Sequence, residues 1–336
     1  LVPLTHPRHV ADLRIGILSI REKWQMLTGV GIVTDPALQK PGDLVVPAGM
    51  IPTIHNVDGI LKAAKDQVSF LDTPEHETRR IMYPWHLFQY NDWALRQDME
   101  IITRNRKSAP IPESNRVTGA DQIFMEPGAV MEHCILNAST GPIYIGKNAT
   151  VMEGCMIRGP LALCEGAVLK MGTKVYGAST LGPFCTGGGE IRNSILMAYS
   201  NKAHDGYLGD SVIGAWCNLG AGTSNSNVKN TGSPVKYHIA DDLEPVTAGP
   251  KAGLIMGDYS RSAINTSFNT GTIIGVCCHI FGYDIPPKLI PSFSWGDERY
   301  DIEKAIQDIS NWKKMKGLEM NDEEKQLLYE LYVNIK

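Results

Sequence analysis

The chain has 336 residues, 43% of them hydrophobic, and a formal net charge of −4 at pH 7, so it is long enough for two domains with a sizeable core. The slightly acidic balance argues against nucleic acid or an anionic membrane as the main partner, and no stretch reaches the ~20 apolar residues of a membrane span. Seven cysteines without CxxC or zinc-type spacing favour reduced thiols in a cytoplasmic protein and give no indication of a metal centre.

The first 118 residues have the mixed pattern of an α/β unit. Val10–Trp24 is apolar and compatible with a helix, and Asp43–Val46 resembles a short strand. Val57–Lys65 and Tyr83–Glu100 have helical patterns. Pro110–Pro112 is predicted to be a linker, so the first domain is expected to end near residue 118.

A six-residue spacing of aliphatic residues dominates the middle of the chain. Seven successive positions follow it: Ile145, Val151, Ile157, Leu163, Leu169, Val175 and Leu181. A helix repeats every 3.6 residues and a strand every 2, so neither produces this period, whereas hexapeptide-repeat β-solenoids do. We therefore predict that residues 119–296 form a triangular prism with these side chains inside.

Weaker runs of the same spacing flank the central one. Upstream they comprise Ile123, Ala129 and Ile135, and downstream Met256, Ser262, Phe268, Ile274 and Ile280. The spacing breaks in Cys185–Asp205, Ser224–Lys251 and Tyr283–Trp295. We expect these three segments to be loops that leave the prism, and loops on a rigid scaffold commonly carry function.

Residues 297–336 are predicted to be a helical extension. Ile302, Ala305, Ile306, Ile309 and Trp312 have the spacing of one amphipathic helix. Asn321 followed by Glu324 predicts the capped start of a second helix.

The segment from Glu190 to Lys236 is rich in polar residue types that can carry chemistry. His204 stands beside Asp205, and a neutral imidazole there could accept a proton from an amine or hydroxyl nucleophile. Gly220–Thr223 would bring backbone N–H groups close to a ligand. Taken alone, these residues also fit an exposed loop histidine beside ordinary turn asparagines.

Two motifs in this segment resemble a known enzyme family. YLGDSVIG at 207–214 is followed by NLGAGT at 218–223, and a histidine stands three residues before the tyrosine. This combination resembles the acetyltransferase domain of the bifunctional N-acetylglucosamine-1-phosphate uridyltransferases and glucosamine-1-phosphate acetyltransferases. EIRNSILM at 190–197 and GLIMGDYSRSAINT at 253–266 are similar to the archaeal-type bifunctional sugar-1-phosphate enzymes. The resemblance covers about residues 119–285 and implies a left-handed parallel β-helix.

The resemblance implies a general base and a sugar site, and the glycine-rich stretch after Asn218 adds a candidate oxyanion site. His204 matches the family's general base, which deprotonates the sugar amine. Backbone N–H groups at Ala221 and Gly222 are expected to stabilise the tetrahedral oxyanion. The sugar site is implied to include Tyr207, Asn218 and Asn227.

The resemblance also implies three cations for the sugar phosphate. Lys170 stands where the family has an arginine, Arg192 stands where it has a lysine, and Lys236 matches a further lysine after a change in length. The first two exchanges keep the charge but change the hydrogen-bond geometry, which leaves the identity of the sugar phosphate open. Cys185–Gly189 resembles an insertion relative to the family.

An acetyl-coenzyme A groove is implied nearer the C-terminal end, between neighbouring coils. Ile264, Asn265 and Thr266 match its position, as does the stretch His279–Gly282 that contains Phe281. These residues depart from the family's sequence, and helical residues 299–336 replace its usual ending.

The N-terminal part resembles sugar nucleotidyltransferase domains through Pro3-Leu4-Thr5 and YPWHLFQYND at 83–92. Those domains hold nucleotide phosphates with a Gly-rich loop just before a Pro-Leu-Thr-like stretch, and no such loop precedes Pro3 here. Either the beginning and some loops are missing, or this domain is reduced. Arg8 as a phosphate contact and Asp12 or Asp92 as a metal ligand are candidates, although ordinary structural roles are commoner for such residues, as for His86.

The sequence therefore predicts a partial nucleotidyltransferase-like α/β domain (1–118), a left-handed β-helix of acetyltransferase type (119–296) and a helical tail (297–336). The expected reaction is acetyl transfer from acetyl-coenzyme A to a hexosamine-1-phosphate. The alternatives are a sugar-1-phosphate nucleotidyltransferase that uses Mg²⁺ and a nucleoside triphosphate, with the β-helix serving assembly, or a non-catalytic trimeric scaffold. Because prism faces are flat and related enzymes place the acetyl-transfer site between subunits, a homotrimer is expected.

Overall fold

The centre of the chain winds into a parallel β-solenoid with three faces. The computed structural model describes residues 1–66, 78–240 and 243–335. Each coil contributes one short strand to each face in turn, and equivalent strands of successive coils pair in parallel. The predicted architecture of an N-terminal α/β unit, a parallel solenoid and C-terminal helices is confirmed.

The strands define the three faces. The first face comprises Ile123–Met125, Ile143–Ile145, Leu161–Leu163, Ser179–Leu181, Ile195–Leu196, Val212–Ile213, Leu254–Met256, Thr272–Ile274 and Leu289–Ile290. The second comprises Val130–Met131, Thr150–Val151, Val168–Leu169, Thr186–Gly187, Asn201–Lys202, Asn218–Leu219, Arg261–Ser262, His279–Ile280 and Ser294–Trp295, with Glu298–Arg299 antiparallel at its end. The third comprises Arg116–Thr118, Ile135–Asn137, Met156–Arg158, Lys174–Tyr176, Glu190–Arg192 and Tyr207–Gly209, and the pair Ser224–Asn225 and Ser267–Phe268 lies beyond it.

The six-residue spacing marks side chains that point into the prism. All seven central members, from Ile145 to Leu181, are at most 2% exposed, and the second run from Met256 to Ile280 is buried as well. The upstream run is out of register, because Met125, Met131 and Leu136 are the partners of Ile145, Val151 and Ile157. The prediction is therefore wrong at Ala129, which is only half-buried, and at Ile135, which is 49% exposed. Burial of this aliphatic column supplies the main core of the solenoid.

The segment Cys185–Asp205 does not leave the prism, contrary to the sequence-based prediction. It supplies the strands Thr186–Gly187, Glu190–Arg192, Ile195–Leu196 and Asn201–Lys202. The spacing breaks because the corner Gly188–Gly189 has two residues, whereas the preceding coil uses the four residues Lys170–Thr173. A shorter corner shifts the sequence positions of all later inward-pointing residues, although no loop leaves the prism.

The other two predicted loops are confirmed in part. After Ser224–Asn225 the chain leaves the third face and forms an antiparallel hairpin between Val235–Tyr237 and Val246–Gly249. In the last segment residues 283–288 form no strand, but Leu289–Ile290 and Ser294–Trp295 rejoin the first and second faces.

The described N-terminal residues form three helices and two short antiparallel strand pairs. The helices are α1 (Ile20–Thr28), α2 (Val57–Lys65) and α3 (His86–Thr103). The strand pairs join Arg14–Ile15 to Leu18–Ser19 and Met50–Ile51 to Arg79–Arg80. Prediction of α2 and α3 is confirmed. Val10–Trp24 instead divides into a 3₁₀ turn, a strand pair and the start of α1, and no strand forms at Asp43–Val46.

The N-terminal unit packs on the first face of the solenoid. Phe88 of α3 shares a hydrophobic cluster with Val212 on that face and with Tyr237 of the hairpin. Asn91 Nδ2 donates to the backbone oxygen of Ala178 at 2.9 Å, which joins α3 to a solenoid corner. The first face is therefore covered within one chain, whereas the third face keeps exposed side chains along its coils.

Two helices, α4 (Ile302–Met315) and α5 (Asp322–Asn334), close the chain. The predicted capping box is confirmed: Asn321 Oδ1 accepts from Glu324 N at 2.8 Å, and Glu324 Oε2 accepts from Asn321 N at 3.2 Å. Both helices join a cluster with Val276 and Phe293, at the corner between the first and second faces. No helix among the described residues has the length and apolarity needed to cross a bilayer.

The cysteines are packing residues. All seven are buried with free thiols. Burial raises the pKa of Cys155 to about 11 and that of Cys278 to about 11, so both thiols stay protonated and unreactive at neutral pH.

Candidate functional site

The corners between the second and third faces stack into one edge of the prism, here called the His204 edge. In coil order its corners are Lys170–Thr173, Gly188–Gly189, Ala203–Gly206, Gly220–Thr223 and Ala263–Thr266. This edge brings together most of the sequence-predicted residues: Lys170, His204, Ala221, Gly222, Ile264, Asn265 and Thr266, with Phe281 after the next second-face strand. Residues from four separate motifs thus meet because each occupies the same corner of its own coil.

Backbone hydrogen bonds between coils decide which N–H groups of the edge are free. Gly222 N donates to the backbone oxygen of Asp205 at 3.0 Å, and Thr223 N donates to that of Gly220 at 3.0 Å. Among the described residues, no hydrogen bond engages the N–H of Ala221. Gly222 therefore cannot serve as the predicted oxyanion donor in this arrangement, whereas Ala221 can.

His204 lies exposed on this edge, one coil before Ala221. The two-residue corner Gly188–Gly189 lies on its other side and packs tightly against it. A Cβ on Gly188 would stand 2.3 Å from the backbone oxygen of Ala203 and 3.0 Å from His204 N. Only glycine fits there, and this corner is two residues shorter than the neighbouring corners that carry Lys170 and His204.

A buried lysine lies beneath the His204 corner, and the sequence analysis did not identify it. Lys202 is 1% exposed, and its Nζ donates to the backbone oxygens of His204 at 2.5 Å and Gly188 at 3.3 Å. Burial lowers the pKa of Lys202 to about 8, and the nearby Asp205 carboxylate opposes that change. Its position in the sequence could have revealed its burial, because Lys202 stands six residues after Leu196, whose side chain points into the prism.

A second polar cluster surrounds Asp210, where the third face turns toward the first. The Asp210 carboxylate is buried and accepts from Arg192 Nη1 at 2.6 Å, Asn193 Nδ2 at 2.7 Å and Asn227 Nδ2 at 2.5 Å. Asn227 Nδ2 also lies 3.0 Å from Tyr207 Oη. The structure therefore brings the predicted residues Arg192, Tyr207 and Asn227 together. The carboxylate at the centre of the cluster neutralises the charge of Arg192.

Two predicted substrate residues lie apart from both clusters. Asn218 is on the second face, where its register partner is Arg261. Lys236 is exposed in the hairpin that leaves the solenoid. In the single chain, neither side chain is joined to His204.

A groove of 120 Å³ opens at the C-terminal end of the His204 edge. Its walls include Asn265, Thr266 and Phe281, three of the four predicted coenzyme A residues, together with Tyr283 and Ile285. The fourth, Ile264, is 69% exposed and is not part of the wall. The groove therefore offers amide and hydroxyl groups beside aromatic and aliphatic side chains.

The candidate residues of the N-terminal unit are engaged in ion pairs. Arg8 pairs with the buried carboxylate of Asp258 in the solenoid. Asp12 accepts from Arg21, and Asp92 pairs with Arg96 at 2.7 Å. His86 Nδ1 lies 3.4 Å from the backbone oxygen of Arg80, and burial lowers its pKa. No group of three or more potential metal ligands occurs among the described residues.

Comparison with known proteins agrees with the resemblance inferred from the motifs. Residues 1–72 match the model of a family described as sugar nucleotidyl transferase, so the N-terminal unit is nucleotidyltransferase-like. Over 122 residues the chain is 34% identical to a bifunctional protein GlmU from Methanocaldococcus jannaschii. This matched region covers 36% of this chain and 27% of the relative. Over 202 residues it is 27% identical to the protein of that name from Methanococcus vannielii, covering 57% of this chain and 40% of the relative.

A third relative bears a name that states both activities. Over 93 residues the chain is 32% identical to a bifunctional sugar-1-phosphate nucleotidylyltransferase/acetyltransferase from Sulfurisphaera tokodaii, covering 27% of this chain and 23% of the relative. The chain spans less than half the length of these relatives. The predicted resemblance to bifunctional sugar-1-phosphate enzymes is confirmed.

Proposed function

We propose that this protein transfers an acetyl group from acetyl-coenzyme A to the amine of a hexosamine-1-phosphate. The observation that carries the proposal is the juxtaposition of an exposed imidazole, His204, with a free backbone N–H, at Ala221, on adjacent corners of one edge. A base and an oxyanion donor side by side are what acyl transfer to an amine requires. The relative named as a nucleotidylyltransferase/acetyltransferase supports the same substrate class.

In the proposed reaction the sugar amine attacks the thioester carbonyl while His204 accepts the proton that the nitrogen loses. A C–N bond forms, and the negative charge on the carbonyl oxygen is stabilised by the N–H of Ala221. The C–S bond then breaks, and the departing thiolate takes the proton from the imidazolium. His204 thus returns to its neutral form after each turnover.

The phosphate is proposed to bind beside the short corner Gly188–Gly189, where Lys170 is exposed and no ion pair among the described residues engages it. Arg192 is a poorer candidate than the motif implies, because Asp210 already holds it at 2.6 Å. The cluster of Tyr207 and Asn227 offers hydrogen bonds for sugar hydroxyls instead. Lys236 and Asn218 remain proposed substrate residues only if a neighbouring subunit brings them to the edge.

Acetyl-coenzyme A is proposed to lie in the groove at Asn265, Thr266 and Phe281. The groove begins one coil beyond Ala221, so a thioester extending from it along the edge would reach the free N–H. Ile264 is exposed next to the groove and is proposed to contact the extended arm of the cofactor.

We also propose that the chain assembles as a homotrimer, because a neighbouring subunit would then complete the site. The third face exposes Ile135, Met156 and, at its corner, Met171, at 49%, 44% and 72% respectively. Packing of third faces around a threefold axis would cover this column and place a second subunit against the His204 edge. Light scattering at micromolar concentration should give three times the 36.9 kDa chain mass, and a monomer mass would contradict the proposal.

Nucleotidyl transfer is the second candidate because the family model matches residues 1–72. It is not favoured, since Arg8, Asp12 and Asp92 are all held in ion pairs. Release of pyrophosphate from a nucleoside triphosphate and a sugar-1-phosphate in the presence of Mg²⁺ would support it. Absence of both activities, with no binding of sugar phosphate or coenzyme A, would favour the trimeric scaffold.

The decisive experiment measures release of free coenzyme A with glucosamine-1-phosphate and galactosamine-1-phosphate as acceptors. His204→Ala should lower the rate roughly 10²–10⁴-fold and leave sugar-phosphate binding nearly unchanged. His238→Ala, at an exposed histidine of the hairpin, is the matched control and should keep wild-type activity. Wild-type turnover by His204→Ala would refute the assignment of the base.

The phosphate contact is tested separately. Lys170→Ala should weaken sugar-phosphate binding, because loss of a phosphate contact removes affinity in the ground state and the transition state alike. Arg192→Ala is a less informative variant, since it leaves the buried Asp210 carboxylate without its cation and would reduce stability as well as binding.

A further inference from the structure

Lys202 occupies a place that the fold normally fills with an aliphatic side chain. The inward column of the second face contains Met131, Val151, Leu169, Gly187, Lys202, Leu219, Ser262 and Ile280. Lys202 is the ionisable member of this column and is 1% exposed. Because a buried ammonium ion is costly and a leucine or methionine would fill the same space, core packing alone does not account for a lysine here.

The contacts of Lys202 are directed at two successive corners of the His204 edge. Its Nζ donates to the backbone oxygen of His204 at 2.5 Å and to that of Gly188 at 3.3 Å. The two-residue corner makes this bridge possible, because it holds the Gly188 backbone close to Ala203 and His204. The ammonium ion thus joins both corners from inside the prism.

The imidazole of His204 has no comparable support on the outside. It is exposed, and no hydrogen bond of its ring occurs among the described residues. Its position therefore depends on the backbone of Ala203–Gly206, which Lys202 holds from within. Catalytic groups need placement to within a fraction of an ångström, and residues that fix their backbone supply it.

We infer that Lys202 is a positioning residue for acetyl transfer, whose ammonium ion fixes the corner that presents His204 to the substrate amine. The inference rests on the proposed function. Lys202 itself touches no substrate and transfers no proton; it acts through the carbonyl groups of His204 and Gly188.

The charged surroundings of Lys202 are simple. Asp205 on the same corner is the charged group that acts on it, and His204 is the other ionisable side chain of that corner. The corner before it, Gly188–Gly189, and the corner after it, Gly220–Thr223, contain no ionisable side chain, and neither do the inward neighbours Gly187 and Leu219. Loss of the Lys202 proton should therefore weaken the bridge with little interference from other buried groups.

The test compares Lys202→Met with Leu219→Met, a change at the inward position of the next coil that alters packing but not charge. Lys202→Met should lower kcat roughly 10- to 100-fold and leave the KM for the sugar phosphate within about threefold, whereas Leu219→Met should change neither appreciably. The activity of the wild type should also fall above about pH 8, where Lys202 loses its proton, and Lys202→Met should lack this decline. An unchanged kcat for folded Lys202→Met would overturn the inference.

A second readout does not require acetyl transfer. The rate of carbethoxylation of each histidine can be measured in the complete protein by mass spectrometry. The rate at His204 depends on the accessibility and surroundings of its imidazole. Lys202→Met should change the rate at His204 severalfold without changing the rate at His238. If the wild type transfers no acetyl group but this rate shifts, Lys202 still positions His204, and it is the proposed function that fails. An unchanged His204 rate overturns the inference.

If Lys202→Met does not fold, Lys202→Gln provides the same comparison, because its amide can still donate one hydrogen bond without a charge. Its kcat should then lie between those of the wild type and a His204→Ala variant. A wild-type kcat and an unaltered carbethoxylation rate in Lys202→Gln would overturn the inference.

Discussion

Replacement of Lys202 by methionine should increase stability at neutral pH, and the increase should shrink as the pH rises. The pKa of Lys202 is about 8 in the folded protein and 10.5 for an ordinary lysine. Between these values the unfolded chain binds more protons than the native state, so the stability of the wild type rises with pH in that range. Methionine does not titrate, so Lys202→Met lacks this rise.

The magnitude follows from the two pKa values. At about 1.4 kcal/mol per tenfold change in proton affinity, the charged form of Lys202 costs the native state about 3 kcal/mol at low pH. By the same linkage relation, about 2 kcal/mol of that cost disappears between about pH 7 and about pH 9.5. The stability difference between Lys202→Met and the wild type should therefore decrease by about 2 kcal/mol over this interval.

The assay is urea unfolding followed by circular dichroism at both pH values, for the wild type, Lys202→Met and Leu219→Met. Other groups titrate in this range as well, but they contribute equally to all three proteins and cancel in the differences. The difference for Leu219→Met should be independent of pH. A difference for Lys202→Met that stays constant, or increases with pH, would refute the account of Lys202 as a buried ammonium ion.

Two further variants test the packing of the corner and of the N-terminal unit. Gly188→Ala should lower the free energy of unfolding by about 1–3 kcal/mol and also reduce acetyl transfer, because its Cβ would meet the backbone oxygen of Ala203 at 2.3 Å. Gly172→Ala on the same edge meets no atom within 4 Å but has a φ of +69°, so it should cost only the backbone strain of about 1–2 kcal/mol and affect activity little. Asp98→Ala should cost about 3–5 kcal/mol in chemical denaturation, because it leaves the fully buried Lys23 unpaired; an equal loss in the exposed Asp92→Ala would contradict this explanation.

The solenoid could be predicted from the sequence because the six-residue spacing of aliphatic residues marks the side chains that are buried inside the prism. Each aliphatic residue from Ile145 to Leu181 points inward, so its spacing reports the length of a strand and a corner. The signal fails where corner length changes, as at Gly188–Gly189, because a phase shift and an ejected loop look alike in the sequence. It also fails at Ile135, where two adjacent aliphatic residues compete for one inward position.

The candidate site could be predicted in part for a different reason. His204 and Ala221 were found through motifs, since each motif marks one corner. Asp210 and Lys202 were missed because their roles arise from neighbours in other coils. The Asp210 cluster, for example, depends on Arg192 from the preceding coil and on Asn227, which lies just after the strand Ser224–Asn225. No local pattern reveals which partner the register will bring.

The same register explains why a single chain presents only part of the proposed site. The His204 edge supplies a base, one free N–H and a groove, but Arg192 is already neutralised by Asp210, and Lys236 lies in the hairpin away from the edge. A sugar phosphate is bound best by several charge-assisted hydrogen bonds, and Lys170 alone supplies one cation on this edge. We therefore propose that another copy packed against the exposed third face supplies a further cation, so that assembly is a condition of substrate binding.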